Sequence, residues 1–337
     1  MKDALLVQAD IPIEIETDSP LLIKEPDQEV RRIAGELRKV TVPLSRRELG
    51  ALAKTPFIPG ASLRGVLRFQ AERITRFLNP MAACDPFASS GNALSCADRV
   101  EIRWKHDTPV DEKKPYERVP SWRYDEVCPV CQLFGYAGWR GLARVGEARR
   151  TEGEGIRFQI NIAVDRFSGG VATKGGRGPY NSDALNPGQH FTSMLRLENF
   201  ALNHLALLGL TLRDLRDGLL TLGGRGASGY GQIHGRIGSI AVRYFGPKPP
   251  DGEMWGVRAL RDCVSGEKIV EDKAPLPNMA WRKDSAAGGY CGQINPEEVF
   301  PNLMQAVVSW LKNYPIPAEM DPDRLLKLKR EKEQTDA

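Results

Sequence analysis

Long apolar runs are missing from this sequence. The longest, around residues 204–212, is far shorter than the roughly 18 residues that a membrane-spanning helix needs. A secretory signal requires an apolar core of about 7–15 residues, and the run near the N-terminus covers only residues 4–7. We therefore expect a cytoplasmic protein with no membrane partner, in which the six cysteines are thiols or metal ligands rather than disulfides.

An excess of one charge sign is missing as well. Lys and Arg number 47 against 43 Asp and Glu, which gives a formal net charge of only +4. A nucleic-acid role would therefore depend on locally clustered basic residues. The chain is 41% hydrophobic and 27% charged, which excludes a disordered protein. Glycine and proline are plentiful, with 33 and 24 residues, and they favour an α+β protein rich in turns over a helical bundle.

Hydrophobic periodicity places the main elements. Isoleucines alternate with acidic residues at the end of 3–16, which is typical of a half-buried strand. Apolar residues at helical spacing predict a helix within 57–78, with Ser62 as its N-cap. Residues 18–56 are charge-rich and weakly periodic, so a long loop with short elements is expected there. Further expected elements are strands at 156–164 and 190–197, a helix at 202–219 and a strand ending at Tyr244.

The periodic part of the chain ends near residue 245. Residues 246–252 have the glycine- and proline-rich composition of a linker, and residues 255–319 are poorly periodic. We therefore predict a core domain over 1–245 and a C-terminal extension of unknown role over 246–337.

Four cysteines suggest a metal site. Cys128-Pro-Val-Cys131 puts two thiolates on one tight turn, as tetrahedral zinc requires. Cys84 and Cys96 supply a second pair, although their spacing is wider than the usual two to about four residues. Four thiolates fill every position around zinc, so the predicted ion is structural. The alternatives are buried thiols or a redox pair, and His106 is a possible ligand in place of Cys84 or Cys96.

Two segments have the residues expected of a phosphate-binding surface. Arg64 and Arg68 stand one turn apart on the predicted helix, whose N-terminal N–H groups favour anions. The glycine loop, residues 223–231, lets a phosphodiester approach the backbone, with Arg225 for charge and Tyr230 for stacking. The alternatives are a solvated arginine face and a glycine-rich hairpin turn. A Gly-x-x-x-x-Gly-Lys-Ser/Thr nucleotide-binding motif is absent from the sequence.

Taken together, these motifs resemble the RAMP superfamily of CRISPR proteins, and within it the repeated backbone subunits of type III effector complexes. The resemblance covers roughly residues 8–244. It rests on four segments that occur in this order: Ile58-Pro-Gly-Ala-Ser-Leu-Arg-Gly-Val-Leu-Arg68, Cys128-Pro-Val-Cys-Gln-Leu-Phe-Gly135, Asp165-Arg-Phe-Ser-Gly-Gly170 and Leu222-Gly-Gly-Arg-Gly-Ala-Ser-Gly-Tyr-Gly231.

The resemblance implies a ferredoxin-like, RNA-recognition-type antiparallel sheet flanked by helices. A zinc-binding insertion would occupy about 80–135, and a thumb hairpin about 166–188. The implied partners are CRISPR RNA, target RNA and other subunits of the effector complex, including neighbouring RAMP subunits. The implied RNA-binding residues are Ser62, Arg64, Arg68, Arg166, Lys174, Arg177, Gly224, Arg225, Ser228 and Tyr230; the implied zinc ligands are Cys84, Cys96, Cys128 and Cys131.

Several such subunits cut target RNA with an aspartate in the loop after the first strand. Asp27 is our candidate here, although Asp18, Glu25 and Glu36 are also in that region and Asp27 equally well caps a turn. A single carboxylate can deprotonate a ribose 2′-OH for in-line attack on the adjacent phosphate. The alternative functions are a CRISPR RNA processing endoribonuclease, which would need a catalytic histidine, and a free-standing zinc-dependent hydrolase.

Overall fold

The computed structural model is built around one large antiparallel sheet. It describes residues 4–25, 28–33, 36–47, 54–88, 94–107, 127–136, 139–162, 164–165, 168–171, 180–265, 272–285, 288–315 and 321–335. None of the helices in these residues is long and apolar enough to cross a membrane.

Seven α-helices are present in the described residues. They are α1 Gly60–Leu78, α2 Cys96–Asp107, α3 Pro129–Phe134, α4 Leu202–Arg216, α5 Val257–Ser265, α6 Pro296–Lys312 and α7 Pro322–Thr335.

The described strands number nineteen. The N-terminal ones are β1 Val7–Thr17, β2 Glu29–Ile33, β3 Glu36–Thr41, β4 Ser45–Arg47 and β5 Lys54–Ile58. The central ones are β6 Gly135–Tyr136, β7 Trp139–Arg140, β8 Ala143–Val145, β9 Ala148–Glu152, β10 Ile156–Asn161, β11 Tyr180–Leu185 and β12 His190–Glu198. The C-terminal ones are β13 Leu220–Thr221, β14 Gln232–Ile237, β15 Ile240–Tyr244, β16 Glu253–Trp255, β17 Lys273–Pro275, β18 Arg282–Asp284 and β19 Gly289–Ile294.

Strand β1 lies at the centre of the large sheet, whose main order is β18-β19-β15-β1-β12-β9-β5-β4. It pairs with β12 on one side and with β14 and β15 on the other, always antiparallel. Alternate residues of β1 point to opposite faces. Ile11, Ile13 and Ile15 are buried in the same core as leucines of α1 and α4, so one face of the sheet carries the helices. Glu14 and Glu16 lie on the other face.

A second sheet of four strands lies beside the large one, in the order β10-β11-β3-β2. Strands β10 and β11 form an antiparallel hairpin, and β11 pairs parallel with β3. Strands β2 and β3 come from the segment that was expected to be mainly loop. Their residues are mostly charged and exposed, which is why hydrophobic periodicity did not reveal them.

Two strands after residue 246 belong to the large sheet, and α6 belongs to its core. Strand β19 pairs with the whole of β15, and β18 extends the sheet beyond it. Helix α6 packs against α4, where a Cβ at Gly209 would lie 2.5 Å from the Phe300 ring. This close approach explains a glycine in the middle of a buried helix. Strands β18 and β19 and helix α6 of the C-terminal extension are therefore parts of the main sheet and its core.

Candidate functional site

Four cysteines converge beside the C-terminal half of α1. Cys84 follows the 3-10 turn Pro80–Ala82, Cys96 opens α2, and Cys128 and Cys131 lie at the N-cap and within α3. All four are buried, and their sulfur atoms all lie within 4.8 Å of one another. The Cys84 sulfur is 3.5 Å from that of Cys131 and 3.9 Å from that of Cys128. We call this group the cysteine cluster.

The donor set and spacing of the cysteine cluster suit a tetrahedral ion. Zinc bound to sulfur at about 2.3 Å would separate the sulfurs by roughly 3.8 Å, close to the distances observed. Hydrogen bonding to Cys131 holds the pKa of Cys128 well below its ordinary value, whereas hydrogen bonding to Cys128 raises the pKa of Cys131. One thiolate therefore forms readily, and a cation would stabilise the others. The side chain of His106 lies outside the described residues.

Arg68 ties the cysteine cluster to α1. Its Nε donates to the Glu72 carboxylate at 2.8 Å, Nη1 to the Gly135 carbonyl at 2.5 Å, and Nη2 to the Cys131 sulfur at 3.4 Å. The side chain is only 17% exposed. A guanidinium at this position would offset part of the negative charge of thiolates in the cluster. The prediction that Arg68 holds an RNA phosphate stays untested, but the contacts described give it a structural role.

A series of buried, hydrogen-bonded polar side chains lies next to the cysteine cluster. The amide oxygen of Gln132 lies 2.7 Å from His204 Nε2, and its amide nitrogen donates to the Val127 carbonyl and the Tyr314 hydroxyl. The backbone N–H of Ala201 donates to His204 Nδ1. Burial lowers the pKa of His204 to about 3, so the imidazole is neutral. Sequence reasoning missed this series because its members are distant in sequence.

The start of α1 differs from the predicted one. Pro59 occupies the N-cap position and makes no side-chain cap hydrogen bond, so the assignment of Ser62 as the N-cap was wrong; Ser62 lies in the first turn. The fixed φ of proline favours this earlier start. Arg64 donates to the Phe134 carbonyl, and burial, then nearby Arg68, lowers its pKa. Arg64 is still exposed, beside the segment that carries the cysteine cluster.

The glycine loop makes a sharp turn directly before β14. Arg225, Gly229 and Gly231 have positive φ angles of 68°, 79° and 76°. A Cβ at Gly231 would lie 2.0 Å from the Leu222 carbonyl oxygen, so only glycine fits there. Gly224 is partly exposed and Ser228 is exposed. The loop therefore exposes backbone groups to solvent near Arg225, whose φ lies in the left-handed region.

Arg225 connects the glycine loop to β11. Its Nη1 donates to the Ser182 hydroxyl at 2.8 Å, and its guanidinium lies 5.7 Å from the centre of the Tyr230 ring. Tyr230 is 8% exposed and packs with Leu22 and Ala184. The ring is therefore mainly a support for the loop, and most of its surface is covered.

Three buried polar atoms near this contact lack hydrogen-bond partners among the described residues. They are the Tyr230 hydroxyl, Asn181 Oδ1 and Asp183 Oδ1. Buried polar atoms are nearly always paired. Alternate residues of a strand face opposite sides, so Asn181 and Asp183 point away from the Arg225–Ser182 contact, and only the Tyr230 hydroxyl belongs to the glycine loop.

A family comparison agrees with this geometry. The family model of the RAMP superfamily matches residues 14–234, a span that includes the cysteine cluster, α1 and the glycine loop. The chain belongs to the RAMP superfamily. This membership gives it a CRISPR-associated role in RNA binding. Among curated proteins, none matches the chain.

Part of the expected RAMP thumb is described. Strand β11 lies within the expected hairpin, and β10 precedes it. Near the tip, Val164 bridges Val171, and the Asp165 N–H donates to the Gly170 carbonyl at 2.8 Å. The expected RNA contacts Arg166, Lys174 and Arg177 lie outside the described residues, so they stay predictions.

The expected catalytic residue of this RAMP protein, Asp27, also lies outside the described residues. On one side of it, Lys24 bridges Pro43 and the Glu25 carboxylate accepts from the Ser45 N–H at 3.2 Å. On the other side, β2 starts at Glu29. The described residues before Asp27 therefore contact β4 of the large sheet, and those after it form β2 of the small sheet.

Proposed function

We propose that this protein is a backbone subunit of a type III CRISPR complex that holds CRISPR RNA and presents it to target RNA. The strand order supports a ferredoxin-like core. β1 is flanked by β12 and by β14 with β15, β8 and β9 pair beyond β12, and α1 and α4 are the connecting helices. These features support a β-α-β-β-α-β arrangement of the core.

One observation carries the proposal: hydrogen bonds join the glycine loop to the predicted thumb hairpin and to the segment that follows β1. Arg225 reaches Ser182 at the base of the β10–β11 hairpin. Gly231 donates to the Pro20 carbonyl at 2.9 Å, just after β1. Loop backbone, hairpin and the end of β1 thus form one surface from distant parts of the chain. We assign the hairpin as the thumb.

Two arginines of the proposed RNA-binding segments suit a phosphate backbone. Arg225 in the glycine loop and Arg64 on α1 present guanidiniums that are partly open to solvent, and the loop offers backbone N–H groups. Such contacts position RNA without reading its sequence. A subunit that repeats along a guide needs this kind of contact, because the sequence differs at each copy.

The cysteine cluster is proposed to bind one structural zinc ion. Cys84, Cys96, Cys128 and Cys131 would hold it, and the bound ion would supply folding energy to a segment with little periodic structure. Four thiolates leave no position for a reactive water. The cluster therefore argues against a free-standing zinc-dependent hydrolase.

Cleavage of target RNA is the finer part of the proposal. Asp27 remains the sequence candidate, acting on the 2′-OH of a target nucleotide that the thumb displaces. The products would carry 2′,3′-cyclic phosphate and 5′-hydroxyl ends. The partners would be CRISPR RNA, target RNA and neighbouring RAMP subunits.

The test combines RNA sequencing with salt-dependent binding. RNA that copurifies with the native protein should consist of CRISPR guides. Arg64→Ala and Arg225→Ala should each weaken guide binding similarly for all guide sequences. Each should lower the slope of log affinity against log salt by roughly 0.7–0.9, because each removes one phosphate contact.

Arg282→Ala on β18 is the matched control, since Arg282 is exposed and lies far along the sheet from the glycine loop. It should leave affinity and slope unchanged. Purified protein that carries no guide RNA, or Arg64 and Arg225 variants with wild-type slopes, would contradict the proposed RNA surface.

A further inference from the structure

A cavity of about 620 Å³ lies between α1, α4 and α6, on the side of the large sheet that carries the helices. Most of its residues on α1 are three or four positions apart, so they form one stripe of that helix. Three arginines line the cavity, namely Arg73 and Arg76 of α1 and Arg213 of α4. We call this cavity the arginine groove. Basic side chains from two helices therefore meet at one place.

Buried polar side chains hold two of these arginines in position. Arg73 Nη1 donates to Gln70 Oε1 at 3.1 Å, and Gln70 Nε2 donates to Asp214 Oδ2 at 2.6 Å. Arg213 Nη2 donates to Asp214 Oδ1 at 2.9 Å. Gln70 and Asp214 are only 7% and 5% exposed. Both guanidiniums are therefore fixed before any ligand arrives, which lowers the entropy cost of binding.

The three arginines differ in how far the chain itself neutralises them. Arg213 pairs with Asp214, and Arg76 pairs with Glu72 at 3.2 Å. Arg73 is exposed and donates to no carboxylate among the described residues. A carboxylate from outside the chain would therefore complete a charge-assisted hydrogen bond at Arg73.

The rest of the lining of the arginine groove is mainly apolar. Ile74, Leu78 and Val308 are partly buried and pack against the core, and Leu210 is buried. An apolar side chain that enters the groove would leave water for an aliphatic surface, which is favourable in proportion to the area covered. The groove therefore suits a ligand that carries both a carboxylate and apolar groups.

Two exposed phenylalanines extend this surface along α1. Phe77, which lines the groove, is 88% exposed, and Phe69 is 59% exposed. Arg73 lies between them on the helix, and its guanidinium is 5.8 Å from the centre of the Phe69 ring. Single exposed phenylalanines are common on proteins, but adjacent ones beside a cavity indicate a contact surface. From residue 69 to residue 77 the stripe spans about 12 Å.

RNA and a small molecule fit this surface less well than a protein segment does. Phenylalanines can stack on bases, but a phosphate backbone requires several uncompensated cations along its path, and only Arg73 meets that requirement among the described arginines of the groove. Arg64 of the proposed RNA surface is about two and a half turns away and points to the opposite side of α1. A small molecule in the cavity would leave Phe69 uncovered. A helix covers such a stripe with residues three and four positions apart.

We propose that the arginine groove is the docking site for an acidic, amphipathic helix of a partner protein. A carboxylate of that helix would pair with Arg73, and its apolar side chains would cover Phe77, Ile74 and Val308. About eight residues of helix match the length of the stripe. The inference does not depend on the proposed RNA surface, which lies elsewhere on the chain.

The test uses the native complex, with a photo-crosslinking phenylalanine derivative in place of Phe77. Irradiation should join the chain to one other protein, at a segment where Glu or Asp residues alternate with apolar residues at helical spacing. Arg73→Glu in the same chain should reduce the yield of this product about tenfold, because the new carboxylate repels the acidic helix.

Two matched controls accompany the crosslinking. The same derivative in place of Val264, which is 49% exposed on α5, should not give this product. Arg282→Glu on β18, where Arg282 is exposed, should leave the yield unchanged. A synthetic peptide with the sequence of the crosslinked segment should then bind the purified chain. Phe77→Ala should weaken that binding about tenfold, as loss of an aromatic anchor does.

Four results would overturn the inference. They are a crosslink to RNA, a crosslink to a second copy of this chain, a crosslink to a protein segment without acidic residues, and a yield that Arg73→Glu leaves unchanged or that does not exceed the Val264 control. Thermal unfolding of each variant separates these results from misfolding. Guide RNA content, measured for the same preparations, separates them from failure of the proposed RNA surface.

Discussion

The cysteine cluster and the glycine loop differ in how completely their surroundings satisfy polar groups. Around the cysteine cluster, Arg68, Gln132 and His204 all have protein partners. In the glycine loop, the buried Tyr230 hydroxyl lacks a partner among the described residues. A buried polar atom without a partner costs about 1–3 kcal/mol.

This difference separates a region built for stability from a region built for binding. A bound metal would satisfy the four thiols of the cysteine cluster, and the cluster holds α1 against α3. In the glycine loop, the Tyr230 hydroxyl has no partner among the described residues, and a hydrogen-bonding ligand would satisfy it. Substitutions in the first region should therefore affect folding, and those in the second should affect RNA affinity.

The largest expected effect is loss of the metal. Cys131→Ser should abolish binding of about one zinc per chain and destabilise the fold severely, because structural zinc contributes on the order of 10 kcal/mol. Elemental analysis and thermal unfolding measure this. Cys263→Ser and Cys291→Ser are controls that should keep the metal. A folded, metal-free wild-type protein would contradict the assignment.

Next in size is Arg68→Ala, which leaves the buried Glu72 with one ion-pair partner fewer and removes the bond to Cys131. The free energy of unfolding should fall by about 2–3 kcal/mol, and zinc should transfer faster to a chelator. Arg73→Ala is the control: Arg73 is exposed on the same helix and donates only to Gln70 among the bonds described. Equal stability of both variants would show that Arg68 does not support the cluster.

A pH-dependent change in stability is expected from His204. The pKa of His204 is about 3 in the folded chain and about 6.5 in an unfolded one. The unfolded state therefore binds more protons below pH 6.5, so stability falls as the pH decreases towards 3. In that pH range, unfolding of the wild-type chain should take up about one more proton than unfolding of the His204→Gln variant. Denaturant unfolding at several pH values measures the free energy of unfolding. Identical slopes of this free energy against pH for the wild type and the variant would refute the prediction.

The smallest stability effect concerns Arg225, whose φ of 68° is unfavourable for most residues other than glycine. Arg225→Gly should be more stable than Arg225→Ala by about 1 kcal/mol, because glycine relieves the left-handed conformation. Both variants should lose RNA affinity equally. Urea unfolding and RNA binding assays test this pair. A glycine variant that binds RNA like wild type would mean that the side chain makes no RNA contact.

Sequence patterns predicted the parts of the fold that depend on local periodicity. Strand β1, helices α1 and α4 and strand β12 lie close to their expected positions, because each buries one regular face. The pair of cysteines in Cys128-Pro-Val-Cys131 was likewise a local signal, and all four cysteines do converge.

Sequence patterns could not predict contacts set by strand register. Asp18 and His234 are 216 positions apart and meet only because β14 pairs beside β1. The same applies to β19, whose pairing with β15 brings the C-terminal extension into the sheet. The charged strands β2 and β3 lack a buried face of their own, so no periodicity marked them.

Strand β10 has a practical consequence for handling the chain by itself. It is an edge strand of the small sheet, and Ile156, Phe158 and Ile160 on it are 55%, 43% and 61% exposed. Alternating apolar side chains along an unpaired edge are a template for adding further strands. Purified without its partners, the protein should therefore have limited solubility at high concentration, and charged substitutions at these three positions should increase it.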